Sequence, residues 1–197
     1  MNHWMFEQVN DFAAATPWLH GIARAYADYG VILFAALLVA GWWIGRRSGD
    51  VRRVAAAIAA GGATLIAVAV NQPIVHSVNE ARPYTAMPHI LVLADRSTDP
   101  SFPSDHATMA GAVAVGLWFV SRRLGIVAAV AAVLMAFTRV YIAAHYPADV
   151  AAGLLLGGLV AGSVWLLVRR PLIHVLEALE RTWLRFALTA SPHARMS

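Results

Sequence analysis

An all-α bundle crossing a membrane is the fold class predicted by three observations on this chain of 197 residues. Hydrophobic residues make up 59% of it and charged residues only 13%, against about a quarter charged in an average soluble domain. Mean hydropathy is +0.61. The charges fall in short clusters that leave long uncharged runs between them. One small soluble domain would have to hide more apolar surface than its interior can hold, and a disordered chain needs the opposite composition. The expected architecture is a polytopic bundle of about five to six spans with amphipathic terminal helices.

The spans follow in order. Tyr29 to Gly45, Val54 to Asn79, His106 to Ser121 and Val150 to Val168 carry no charge, and a further run from Leu124 is broken only by Arg139. A hydrocarbon core of about 30 Å takes about 20 helical residues, with a lower limit near 17. The first and third runs are the short ones. Small residues inside the runs, such as Ala55, Ala56 and Ala57 with Gly61 and Gly62, and Gly153 with Gly157 and Gly158, favour close helix contact in lipid.

Arginine pairs set the orientation. Arg46, Arg47, Arg52 and Arg53 follow the first run, Arg122 and Arg123 the third, and Arg169 and Arg170 the fifth, so all fall on one side. By the positive-inside rule that side is cytoplasmic. The segment from about Gln72 to Ser104 and the turn from His145 to Asp149 are then expected on the opposite, outer face. The lysine-free composition, rich in alanine and arginine, points by composition alone toward a high-GC bacterium.

The ends are amphipathic. Residues 1–28 carry Trp4, Phe6, Phe12, Trp18 and Leu19 among Glu7, Asp11 and Arg24, which reads as an interfacial helix; a basic start and a long apolar stretch of a signal peptide are missing. Residues 29–170 form the expected transmembrane core. Residues 171–197, with Leu172, Leu176, Leu179, Trp183 and Leu184 among Glu177, Glu180, Arg181 and Arg185, read as a cytoplasmic amphipathic tail.

Composition also excludes chemistry. With no cysteine there is no disulfide scaffold, thiolate metal site or cysteine nucleophile. All 15 basic residues are arginine, which removes Schiff-base and lysine-clamp mechanisms. The sequence pI near 10.1 suggests nucleic acid, but the arginines sit mostly as isolated pairs between apolar runs and form no stripe on one face. No nucleic-acid partner is expected.

Three polar clusters interrupt the apolar chain, all at the same expected face: Glu80-Ala81-Arg82-Pro83, Pro103-Ser104-Asp105-His106, and Thr138-Arg139 followed by His145-Tyr146-Pro147-Ala148-Asp149. Each has an ordinary reading. Ser104 and Asp105 alone suit a plain helix start, although a capped start also presents N–H donors to a phosphate. Arg82 alone is a solvated loop charge. Arg139 costs about 2.5 to 3.5 kcal/mol to insert, and a structural ion pair with Asp149 or Glu80 is the alternative to a functional role. His145 and Asp149 would share a face if helical, the carboxylate fixing the imidazole tautomer, although Pro147 argues for a shaped turn. His76 and His89 read as incidental or as access-path residues.

Two arginines, a helix N-terminus and two histidines suit phosphoryl transfer, where fixed cations and N–H groups stabilise charge on the equatorial oxygens. No metal or other cofactor is required by this set, and the arginines would repel a cation.

These residues resemble the phosphatidic acid phosphatase type 2 superfamily, with the signature Lys-x6-Arg-Pro, Pro-Ser-Gly-His and Ser-Arg-x5-His-x3-Asp. Thr138-Arg139, His145 and Asp149 keep the spacing of the third element, with Thr for Ser. Asp105 replaces the Gly of the second. With Ser101-Phe102 ahead of it and Tyr146-Pro147 in the third element, the variant is similar to the bacterial undecaprenyl diphosphate phosphatase branch associated with bacitracin resistance. The first element departs: Arg82-Pro83 and Glu80 fit, but Val75 stands at the lysine position, and His76 or Arg96 is left to supply charge. The resemblance spans about Val70 to Val160.

It implies that His145 attacks phosphorus to form a phosphohistidine, that Asp149 orients and polarises it, and that His106 protonates the leaving oxygen and then activates water. Arg82, Arg139, Ser104 and the backbone near Asp105 would hold the oxygens, with Glu80 beside them. The implied activity is metal-independent hydrolysis of undecaprenyl diphosphate, a lipid-phosphate partner in the membrane, at the periplasmic or extracellular face of a bacterial inner membrane and linked to cell-wall synthesis. A phosphatidylglycerophosphate or phosphatidic acid phosphatase is the alternative within the class. A non-catalytic lipid-binding or transport bundle and a vanadate-dependent haloperoxidase are the readings outside it; the spans argue against the last.

Overall fold

The computed structural model describes residues 2–183 and 185–189. Helix α1 (Asn2–Ala15) leads through a 3-10 turn (Pro17–Leu19) into α2 (His20–Ser48), α3 (Val51–Val78), the single turn α4 (Pro83–Ala86), α5 (Asp105–Val120), α6 (Arg122–Tyr141), α7 (Pro147–Leu179) and the short α8 (Arg185–Leu188). Among the described residues there is no strand.

The turns follow from local chemistry. Gly49, with φ 66°, takes the left-handed conformation that ends α2, and the Asp50 side chain accepts the Arg52 N–H to start α3. Four stretches are long and apolar enough to cross a membrane: Pro17–Ser48, Val51–Ala86, Arg122–Tyr141 and Pro147–Leu179. The run expected from His106 to Ser121 forms α5, whose 16 residues extend about 24 Å. It is the central helix, packed against α3, α6 and α7, with Ala107, Thr108, Ala110 and Ala112 buried.

Glycine allows this packing. A methyl group at Gly157 would overlap the Thr108 carbonyl oxygen and lie 2.8 Å from the Ala112 nitrogen; at Gly111 it would overlap the Leu154 carbonyl. The α5 and α7 backbones are therefore in direct contact. Because the long helices alternate in direction, the end of α3, the start of α5, the end of α6 and the start of α7 share one end of the bundle. The α2–α3 turn with Arg46, Arg47, Arg52 and Arg53, and Arg122 and Arg123, lie at the other.

Both terminal segments differ from their sequence reading. Helix α2 begins at His20, inside residues 1–28, because Arg24 and Asp28 pair along it at 3.8 Å and Arg24 also reaches Asp95 at 2.6 Å; paired charges continue a helix. Helix α1 exposes Trp4, Met5 and Phe12, as an interfacial helix does, yet its other face packs on the bundle. Phe6 is buried edge-on against Tyr146, His3 stacks on the same ring at 5.1 Å, and Asn10 exchanges two hydrogen bonds with the Leu91 backbone. At the other end Pro171 falls inside α7, which continues to Leu179 with Leu176 buried and Leu172 packed on the core. Leu184 and residues 190–197 of the expected tail lie outside the described residues.

Candidate active site

The segment after α6 turns sharply. Ala143 takes a left-handed φ of 63°, unusual for a residue with a Cβ, and the Ala144 and His145 N–H groups donate to the Arg139 carbonyl at 3.0 and 3.3 Å. Tyr146 caps α7: its N–H donates to Asp149 Oδ2 at 2.9 Å, and Pro147 occupies the first helical position, where no N–H is needed. Pro147 therefore opens α7, and the shaped turn is the stretch before it. His145 is held in that turn, 3% exposed.

Its tautomer is fixed by geometry. His145 Nδ1 lies 2.8 Å from the Ser101 carbonyl oxygen; a carbonyl only accepts, so Nδ1 carries the proton and Nε2 of the neutral ring is the free nucleophilic nitrogen. The expected direct pairing with Asp149 is replaced by this arrangement. Asp149 Oδ2 is 3.6 Å from Nδ1, beyond hydrogen-bond length, and instead accepts the Ser101 hydroxyl at 2.5 Å and the Tyr146 N–H. Asp149 is completely buried. Burial holds the His145 imidazole below its ordinary value of 6.5, and the positive charges of Arg139 and Arg82 act in the same direction while Asp149 opposes them.

His145 opens on a cavity of about 410 Å³ that His106, Arg82, Arg139 and Asp105 also line. Arg82 is held by donating from Nε to the Asp99 carbonyl at 2.8 Å and from Nη1 to the Ala144 carbonyl at 3.2 Å, which leaves Nη1 3.5 Å from His145 Nε2. Arg139 makes no ion pair among the described residues, and its Nε is buried without a partner. The structural pair with Asp149 or Glu80 is not formed. Two guanidinium groups and the start of α5 thus meet beside a neutral imidazole, an arrangement able to bind a phosphate and receive its phosphorus.

The other expected residues take different places. The Ser104 hydroxyl makes no cap bond and is buried without a partner; the Ser104 N–H donates to the Asp149 carbonyl at 3.2 Å and ties α5 to α7. The Asp105 carboxylate is drawn back to α3, accepting Asn71 Nδ2 at 2.7 Å and Gln72 Nε2 at 2.9 Å. Glu80 acts through its backbone, its carbonyl accepting the Ser101 N–H at 2.7 Å. Val75 and His76 line the cavity, while His89 lines a separate hollow beside α1 and Arg96 lies over the Tyr84 ring. Sequence reasoning gave no role to Ser101, Asn71 or Gln72. Asn71 and Gln72 had a signal, two amides in an apolar run; Ser101 entered only as part of the Ser101-Phe102 pair ahead of the second motif. Among the described residues no group of three His, Cys, Asp or Glu could hold a metal ion.

Comparison with known proteins gives four findings. Residues 55–172 match the PAP2 superfamily. The chain is 27% identical over 150 residues to undecaprenyl-diphosphatase BcrC of Bacillus subtilis (strain 168), covering 76% of this chain and 75% of that protein. It is 34% identical over 94 residues to the undecaprenyl-diphosphatase of Sulfolobus acidocaldarius, covering 47% and 46%. Among solved structures, the fold is similar to a transmembrane PAP2 type phosphatidylglycerolphosphate phosphatase from Bacillus subtilis, with a TM-score of 0.61, 23% identity and coverage of 82% and 83%.

Proposed function

The chain belongs to the PAP2 superfamily and is a multi-pass membrane lipid phosphatase, and from this premise we propose that it hydrolyses undecaprenyl diphosphate to the monophosphate through a phosphohistidine on His145. The observation that carries the mechanism is the neutral imidazole whose proton is committed to the Ser101 carbonyl, leaving Nε2 beside Arg82. In the first step Nε2 bonds to the terminal phosphorus and the bridging P–O bond breaks. His106 gives its proton to the leaving lipid monophosphate oxygen. In the second step His106 takes a proton from water, the water oxygen bonds to phosphorus, and the P–N bond breaks to release inorganic phosphate.

Arg82, Arg139 and the first N–H groups of α5 hold the phosphoryl oxygens, with the Ser104 hydroxyl as a further donor. Asp149 steadies the cationic ring that forms, as the acid of a triad does. Glu80 positions the loop through its carbonyl. By the positive-inside rule, the arginine pairs at the opposite end of the bundle support a site that works on the outer face of the membrane. Residues 29–170 carry the chemistry, with α1 packed on the catalytic turn.

The names of the BcrC and Sulfolobus relatives support the diphosphate as substrate. Phosphate release by purified protein in detergent with a chelator tests it, with undecaprenyl diphosphate and phosphatidic acid compared. Faster release from the diphosphate is expected; a preference for phosphatidic acid assigns the enzyme to the glycerophospholipid branch. The low affinity of buried His145 for a proton sets a pH expectation. A group depressed in this way stays neutral on the acid side of its ordinary value, so formation of the phosphoenzyme continues below pH 6.5. Rapid-quench measurement of that step from pH 5 upward checks it, and a rate that rises with pH along a limb centred at or above 6.5 contradicts it.

A further inference from the structure

We propose that Ser101 is a positioning residue for the attack of His145, its carbonyl setting the tautomer and its hydroxyl coupling the imidazole to the Asp149 carboxylate. This rests on the reading of His145 as the nucleophile. Three groups of one residue do the work. The Ser101 N–H donates to the Glu80 carbonyl at 2.7 Å and anchors the loop. Its carbonyl accepts His145 Nδ1–H at 2.8 Å, and its hydroxyl donates to Asp149 Oδ2 at 2.5 Å. Ser101 is wholly buried, so solvent does not compete for these bonds.

The hydroxyl matters because of what Asp149 lacks. At 3.6 Å from Nδ1 the carboxylate does not hold the ring itself. Its Oδ1 has no partner among the described residues, and Oδ2 has two donors, the Ser101 hydroxyl and the Tyr146 N–H. Without the hydroxyl, a buried carboxylate keeps a single donor and is free to turn toward Nδ1, drawing the imidazole off the carbonyl that aims Nε2 at the cavity. Partners that orient a metal-bound histidine are worth about 10- to 100-fold in activity, and an effect of the same size is expected for a partner that orients a nucleophilic one. The serine thus acts through His145 and does not touch the phosphate.

The test compares Ser101→Ala, Ser101→Thr and Ser101→Val with wild type in the phosphate-release assay, alongside thermal midpoints. Thr and Val share a shape and differ in the hydroxyl. Ala and Val are expected to lower kcat about 10- to 100-fold with KM within about twofold, and Thr to recover most of the loss. Wild-type kcat in Ser101→Ala overturns the proposal, as does a folded Thr variant no faster than a folded Val variant. Ala removes one atom and decides the matter if the larger side chains do not fold. His145→Ala run in parallel separates the two readings: if it stays active, the nucleophile assignment fails, and if it is inactive while Ser101→Ala is unimpaired, only the role of Ser101 fails.

Discussion

His145→Ala is expected to lower phosphate release by about a thousandfold or more, with KM for the lipid changed far less. The side chain that supplies Nε2 is removed, while Arg82 stays tied to the Asp99 and Ala144 carbonyls and Arg139 stays on the cavity wall. Substrate therefore still finds its cationic cradle, and what disappears is the bond to phosphorus. His106→Ala should behave differently. With the group that activates water gone, the second half-reaction slows, and any phosphoenzyme formed persists longer than in wild type. Steady-state release and single-turnover labelling on both variants check the pair. Equal residual rates and no difference in labelling would contradict the division of labour between the two histidines.

Gly157→Ala is expected to be the most damaging small substitution outside the site. The added methyl group overlaps the Thr108 carbonyl oxygen and stands 2.8 Å from the Ala112 nitrogen, both backbone atoms of α5. No rotamer change relieves a clash between backbones, so α5 and α7 must separate. Overpacking of this kind costs about 1–3 kcal/mol and occasionally more, or roughly 2–4 °C of midpoint per kcal/mol in a chain of this size. Activity should fall with stability, because the start of α5 and the start of α7 carry His106 and Asp149. Gly61→Ala is the control: nothing lies within 4 Å of that position, and its midpoint should match wild type. A Gly157→Ala protein as stable as Gly61→Ala would contradict the close contact.

The site was legible because polar residues in an apolar chain have few reasons to be there. Arg139 inside a helix, His145 and Asp149 at one turn and His106 at another were identifiable by residue type and spacing, and the fold places His106, Arg82, Arg139 and His145 on one cavity. The role of Ser101 was not legible. Two of its three bonds use backbone atoms, which every residue possesses, and the third reaches 48 positions along the chain. The distance between His145 and Asp149 was hidden for the same reason: spacing of four implies a shared helical face, whereas the left-handed Ala143 and the cap at Tyr146 put His145 before the helix begins.

The long apolar runs predicted the helices well and their limits less so. Counting uncharged residues began the first span after Asp28, but Arg24 and Asp28 neutralise one another along α2, which starts at His20. Pro171 was taken as a boundary, yet one missing donor did not outweigh the burial of Leu176 one turn later. Aromatic residues in α1 suited either an interface or a packed face, and composition alone does not say that Phe6 and His3 meet Tyr146.

The most direct test is to trap the intermediate. Purified protein is mixed with undecaprenyl diphosphate labelled on its terminal phosphate, in detergent with excess chelator, quenched in base within a fraction of a turnover, and the labelled peptide is sequenced. A label that is stable in base, labile in acid and located on His145 is the predicted result. A label on His106, no covalent label during active turnover, or turnover that stops on chelation would contradict the account.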